Sequence, residues 1–485
     1  VLFNAYDFLF AFLPITLVGH VFALRRGPRQ AMAWLLAASL FFYARWYWPY
    51  LLLLLASMAA NYRLGQVLST EALDEPRRRR LLIAGVSANL GLLGFFKYGG
   101  FLADNLALLG LDLGMPDVAL PLAISFFTFQ QVAYLVDAHR RLIRAHDAVD
   151  YALFVSFFPQ LVAGPIVHHH ELLPQLVAGT PPSAEDRSVG LTIFLIGLAK
   201  KVLIADALAP YANTTFSFVA DGRTPTVVSA WSGVLAYHFQ LYFDFSGYSD
   251  MAIGLGRLFG ITLPANFDAP YRASDIGAFW RQWHMTLSRF LRDYVYIGLG
   301  GNRYGEARRN FNLFATMFLG GLWHGAGWTF VLWGGLHGVY LVIHQLWQRS
   351  TGGFPDTAWG TAAARTLTWI AVLAGWPLFR SNNLSEAWVL LSSMAGANGL
   401  GLSQTNLGLT AALLTLLVFT QVMPTTQRWL DDYRPVLDPR HADPVPCPAW
   451  LVWEPNRRWA ILIALLAFAC LPVLERADAF LYWNF

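Results

Sequence analysis

Apolar runs about as long as a bilayer is thick, repeated along a whole chain and joined by short arginine-bearing connections, leave few ways to fold in water. Here they recur at Phe3–Leu24, Ala31–Ala44, Tyr50–Leu64, Leu81–Phe96, Val118–Val136, Tyr151–Val167, Val189–Ile204, Val227–Phe243 and Gly247–Ile261. They continue at Phe311–Gly325, Trp328–Leu346, Thr366–Phe379, Leu407–Val422 and Trp459–Leu474. A helix crosses the hydrocarbon core with about 20 apolar residues. Lipid offers the backbone no partners, so such runs must be helical, and the shorter ones predict tilted or re-entrant pieces shielded by neighbours. A soluble domain carries roughly 25% charged residues. This chain has 13%, against 56% hydrophobic. We therefore expect one all-α, polytopic membrane domain over residues 1–485, with no polar block large enough to fold separately.

Basic residues set the expected orientation. The clusters are Arg25, Arg26 and Arg29; Arg77 to Arg80; Arg140, Arg141 and Arg144; Lys200 and Lys201; and Arg303, Arg308 and Arg309. If each run crosses once, all of them fall on one face. That face is cytoplasmic by the positive-inside rule, which puts the N-terminus in the periplasm. The first run has no basic leader or cleavage site and is expected to stay as a span. The net charge of +4 comes without a basic patch interleaved with exposed aromatics, which argues against nucleic acid. The 19 Trp suit interfacial belts. Cys447 and Cys470 form no CxxC pair and no zinc spacing.

Arg272–Arg292 is too charged to span and too aromatic for a free loop. Phe279, Trp283, Phe290 and Tyr294 recur at helical spacing with Arg281, Ser288, Arg289 and Arg292 between them. This predicts an amphipathic helix at the cytoplasmic interface, with 272–309 as helix and loop. Pro, Asp and Arg in Thr425–Arg458 predict a surface loop.

Polar groups inside a membrane are costly and ask for a reason. His324 lies thirteen residues past Phe311, roughly 20 Å along a helix and deep in the bilayer, among Gly320, Gly321, Gly325 and Gly327. A neutral imidazole there can act as a general base. From the residues alone, catalysis and packing are about equally supported. For His284, on the amphipathic stretch 40 positions earlier, packing among tryptophans is the stronger reading. In Asp244-Phe-Ser-Gly-Tyr-Ser-Asp250, we read Asp244 or Ser246 as capping the next helix rather than lining a cavity. His168, His169, His170 and Glu171 predict a solvated loop, since adjacent residues cannot all face one ion. Lys97 reads as a snorkelling lysine, while His337 and His344 share one helical face, which packing explains as well as function does. There is no GxSxG elbow, P-loop or dinucleotide fingerprint.

These residues resemble the membrane-bound O-acyltransferase family, most of all its bacterial alginate O-acetyltransferase branch, over nearly the whole chain. The resemblance rests on Ser39-Leu-Phe-Phe-Tyr43, Asn61-Tyr62, Phe95-Phe-Lys-Tyr98 and Phe158-Pro-Gln-Leu-Val-Ala-Gly-Pro165. It is most specific from Asp244 through Trp280-Arg-Gln-Trp-His284, Arg292-Asp-Tyr-Val-Tyr296 and Leu299-Gly-Gly-Asn-Arg303 to Leu322-Trp-His-Gly325, and extends to Phe480-Leu-Tyr-Trp-Asn-Phe485. It implies a helical funnel with a thin partition and a deep catalytic histidine, carried over onto His324. A second histidine is carried over onto His284. Where relatives often show Arg and an aromatic, this chain has His168–His170.

The resemblance further implies acetyl-CoA as co-substrate, with no permanently bound cofactor and no metal, and a location in the bacterial inner membrane. A periplasmic SGNH-hydrolase-like acetyltransferase and the polysaccharide synthesis and export machinery would be the partners. Trp280, Trp283, Ser288, Trp323, Asp244 and Tyr248 are expected to bind substrate, with Arg281, Arg289 and Arg292 facing donor phosphates. Two rival activities remain: D-alanyl transfer to a cell-wall polymer and proton-coupled transport. The transporter reading lacks the internal repeats it would favour.

Overall fold

The computed structural model describes residues 3–71, 73–112, 114–116, 118–143, 146–401, 406–438, 447–476 and 481. Arg144, part of the loop within Thr425–Arg458 and most of the terminal motif Phe480–Phe485 lie outside them. Among the described residues the chain is helical without strands. The helices that matter here are α1 (Phe8–Leu24), α2 (Pro28–Ala44), α3 (Trp48–Ser69), α4 (Glu75–Ala107), α5 (Ile124–His139), α6 (Ala148–Ser156) and α7 (His169–Ala178). They continue with α8 (Ala184–Ala220), α9 (Val227–Leu258), α10 (Ile276–Gln282), α11 (Met285–Phe290), α12 (Gly305–His324), α13 (Trp328–Thr351) and α14 (Ala358–Arg380). The last three are α15 (Leu384–Met394), α16 (Leu407–Val422) and α17 (Arg457–Leu474).

Among the described residues, α3, α4, α8, α14 and α17 are long and apolar enough to cross a membrane, and α1 and α16 are shorter apolar helices. The protein is a polytopic membrane protein. Exposed side chains on these helices are largely apolar, such as Phe10, Ile83, Leu367 and Phe468, as a lipid-facing surface requires.

Several expectations give way. The runs Val227–Phe243 and Gly247–Ile261 are one 32-residue helix, α9. Asp244 therefore caps nothing; it sits mid-helix, 1% exposed. Lys200 and Lys201 do not end a segment at a membrane face either. They lie inside α8, in a π-helical stretch Lys200–Ala205. Lys201 Nζ reaches Asp206 and Asp244, each at 2.7 Å, and Lys200 Nζ reaches Asp250 at 2.6 Å. Two lysines and three carboxylates thus pair inside the bundle, so these lysines do not mark a membrane face.

Glycines let α8 and α9 touch backbone to backbone. A Cβ on Gly197 would stand 2.5 Å from the Gly247 carbonyl oxygen, and one on Gly254 would stand 2.5 Å from that of Gly190. The two pairs are spaced seven residues apart on each antiparallel helix, the small-residue packing that membrane helices use where hydrophobic association is absent.

The stretch 272–292 is not a single surface helix. It folds as a turn at Pro270–Arg272, then α10, a break at Trp283 and His284, α11, and a π-helical stretch Leu291–Tyr296. Phe279, Trp280, Trp283 and His284 are all buried. The aromatic face is packed into protein, not laid on headgroups. The same holds for His168 and His169, which open α7 and are 4% and 5% exposed rather than in a solvated loop.

Candidate functional site

α12 and α13 form a hairpin whose turn, Gly325 to Gly327, follows directly on His324, the last residue of α12. The hairpin is tight because Gly321 and Gly334 face each other: a Cβ on Gly321 would lie 2.5 Å from the Phe330 carbonyl oxygen and 2.7 Å from the Gly334 Cα. Arg349 at the end of α13 pairs with Glu306 at the start of α12, so both helices return to the arginine-bearing face.

The free carbonyls at the end of α12 are held by α4. Lys97 Nζ donates to the carbonyl oxygens of Trp323 at 2.5 Å and His324 at 3.1 Å, and the Tyr98 hydroxyl donates to that of Leu322 at 2.7 Å. A cation at a helix C-terminus complements both the unpaired carbonyls and the helix dipole. Lys97 is therefore not a snorkelling residue; it sets where His324 stands. A hydrogen bond to a charged group is worth about 1.5–3 kcal/mol. Lys97→Met is accordingly expected to lower the activity of this site about tenfold or more while the chain still accumulates in membranes. Unchanged activity per unit of protein would show the cap to be dispensable.

The break between α10 and α11 brings His284 to the same place. Its backbone is left-handed, φ 45°, a conformation that costs a non-glycine residue about 1–2 kcal/mol. Asn266 holds it there. The Asn266 carbonyl oxygen accepts from Met285 N–H at 2.9 Å, and Asn266 Oδ1 accepts from the Thr286 hydroxyl at 2.6 Å and lies 3.3 Å from His284 Nδ1. The Thr286 N–H also donates to Asn266 Oδ1, at 3.4 Å, which fixes the amide orientation, and Asn266 Nδ2 donates to Ser249 Oγ at 3.1 Å. His284 Nδ1 therefore carries the proton, and Nε2 is the acceptor of the neutral ring.

The rings of His284 and His324 lie 6.4 Å apart, both buried. Trp323, Trp333 and Phe379 surround His324 at 5.1, 5.2 and 5.3 Å, and Phe245 stands edge-on to His284 at 4.7 Å. Two imidazoles forty residues apart in sequence thus share one aromatic chamber. The sequence profile of the membrane-bound O-acyltransferase family matches residues 81–376, which contain this whole chamber except Phe379. The chain belongs to the membrane-bound O-acyltransferase family.

Relatives of this O-acyltransferase extend the match. A peptidoglycan O-acetyltransferase of Helicobacter pylori is 43% identical over 431 residues, covering 83% of this chain and 81% of the relative. A probable alginate O-acetylase of Pseudomonas putida is 37% identical over 497 residues, covering all of both. A teichoic acid D-alanyltransferase of Bacillus subtilis is 27% identical over 271 residues, covering 53% of this chain and 68% of the relative.

Of the other side chains expected to bind substrate, Trp323 lines the chamber of this O-acyltransferase. Trp280 reaches it through Trp333, and Trp283 through Trp376. The rest are placed elsewhere. Asp244 pairs with Lys201, and Tyr248 stacks on Phe3 at 4.7 Å. Ser288 faces the Trp283 carbonyl, Arg292 pairs with its neighbour Asp293, and Arg281 is exposed. Arg289 binds Glu171 with both terminal nitrogens, at 2.5 and 2.9 Å. Burial and this guanidinium push the neighbouring His168 imidazole down to about 4, leaving it neutral at pH 7 beside the Tyr294 hydroxyl at 3.2 Å. Asn266, Trp333 and Phe379 escaped the sequence reading. Lys97 left a signal, a lone cation at the end of an apolar run, but was read as snorkelling.

Proposed function

We propose that this O-acyltransferase takes acetyl from a cytoplasmic thioester, acetyl-CoA, and passes it across the membrane for O-acetylation of an exported glycan such as alginate. A periplasmic SGNH-hydrolase-like acetyltransferase would complete the delivery. The same reading puts the chain in the bacterial inner membrane with its first helix starting on the periplasmic side. The observation that carries it is the meeting of His324 and His284 at a helix break inside the bundle. His324 takes the proton of the acceptor hydroxyl as its oxygen bonds to the acetyl carbon. The carbon–sulfur bond then breaks, and the proton passes to the departing thiolate. General-base help of this kind is worth about 10²–10⁴-fold. With Nε2 as acceptor, a neutral His284 suits holding an N–H of the donor better than polarising its carbonyl.

Acetyl is favoured over D-alanyl because the O-acetylating relatives are 37–43% identical over most of the chain, against 27% over about half for the D-alanyltransferase. Transport is disfavoured because Asp244 and Asp250, the carboxylates a proton relay would use, are each matched by a lysine. Membranes holding this chain and its periplasmic partner, given acetyl-labelled acetyl-CoA, should pass label to the partner or polymer. Label that stays on CoA, while a D-alanyl-charged carrier protein is consumed instead, would reverse the assignment.

A further inference from the structure

A cavity of about 610 Å³ opens between α10, α13 and α14 near the arginine-bearing face, lined among others by Ile276, Tyr340, His344, Thr368 and Ala371. It stops short of His324. On α13 the residues Tyr340, His337 and Trp333 form one stripe, which climbs about 10 Å from the cavity toward His324 at 1.5 Å per residue. Their rings follow one another: Tyr340 to His337 at 5.5 Å, His337 to Trp333 at 4.9 Å, Trp333 to His324 at 5.2 Å. On α14, Ala371, Gly375 and Phe379 climb in parallel. A Cβ on Gly375 would stand 2.8 Å from His337 Nε2 and 3.3 Å from Trp333 Nε1. From α10, Trp280 closes the third side, 5.1 Å from His337 and 5.6 Å from Trp333.

This knot is buried, yet among the described residues its polar atoms have no hydrogen-bond partner: Trp280 Nε1, Trp333 Nε1 and both ring nitrogens of His337. Buried groups of this kind are rare in native proteins, and four at one spot call for a guest that hydrogen-bonds them, a bound ligand or water. The cavity supplies its entry, and the knot's N–H groups suit the carbonyl oxygens of an amide-bearing thioester arm.

We propose that Trp280, Trp333 and His337 form the inner seat of the acyl-thioester donor, entered from this cavity, and that Trp333 sets the size of acyl group that reaches His324. The proposal rests on the thioester reading above. In the resting arrangement the indole of Trp333 stands between the cavity and His324, so entry requires it to swing aside, and the space it vacates limits the acyl group.

The test uses membranes with full-length chain and periplasmic partner, supplied with acetyl-, propionyl- or butyryl-labelled CoA. One methylene in an apolar pocket discriminates by about tenfold or more. Trp333→Ala should raise the butyryl-to-acetyl transfer ratio by about that factor. Trp333→Phe, which keeps an aromatic ring and carries the test by itself if the alanine variant fails to accumulate, should shift preference toward propionyl. His337→Ala should raise the KM for acetyl-CoA more than it lowers kcat. If the unaltered chain transfers acetyl but these variants keep its acyl preference and donor KM, the seat is elsewhere and the transferase reading stands. If the unaltered chain transfers no label from any thioester, both fall.

Discussion

His324→Ala is expected to abolish transfer of labelled acetyl to the periplasmic partner or polymer, by a factor of about 10²–10⁴, with normal amounts of protein in the membrane. The imidazole is at the end of a helix whose last carbonyls are pinned by Lys97 and Tyr98, so removing the side chain leaves that backbone anchored. The ring is enclosed by Trp323, Trp333 and Phe379, and these rings carry no group that can take a hydroxyl proton at neutral pH. His284 stands 6.4 Å away on the Asn266 hub and is oriented for a different partner. His284→Ala should therefore leave measurable residual transfer with a raised donor KM. Equal, complete loss in both variants would make the two rings a single proton-transfer unit. Full activity in His324→Ala would remove that ring from the chemistry altogether.

Lys201→Met is expected to cost about 3–5 kcal/mol of stability, the usual result of removing one partner from a buried ion pair. Lys201 is 3% exposed and is shared by Asp206 and Asp244, so its loss leaves a buried carboxylate, Asp244, and a half-buried one, Asp206, without their shared lysine. Asp244 Oδ2 also accepts from the Leu481 N–H at 2.9 Å, a bond that should weaken with the bundle. Thermal unfolding of detergent-purified protein reads the effect. Adding Asp244→Asn to Lys201→Met should recover part of the loss, because an amide is cheaper to bury than an unpaired charge. A Lys201→Met protein that unfolds with the unaltered one would mean that lipid or solvent reaches this cluster.

The apolar runs were legible because burial in lipid acts on each segment by itself. Leu407–Val422 is the same helix in sequence and structure, and most other runs differ only at their ends. Errors came where a polar residue was judged without its partner. Lys200 and Lys201 read as a membrane face because lysine in isolation belongs there; Asp244, Asp206 and Asp250 make the interior tolerable. Asp244 read as a cap for the same reason. The stretch 272–292 read as interfacial because its arginines demand water, but Glu171 meets Arg289 and the aromatic face finds protein instead of headgroups.

The sequence by itself determined that this is a helical membrane protein, and singled out His324 as its most conspicuous buried polar side chain, since hydrophobicity and the cost of burying an imidazole are properties of single residues and short segments. Only the tertiary structure decided that His284 faces it, that Lys97 anchors its helix end, and that Trp280, Trp333 and His337 stand between it and a cavity. Those relations join residues up to 227 positions apart, and which side chains meet is settled by how whole helices pack.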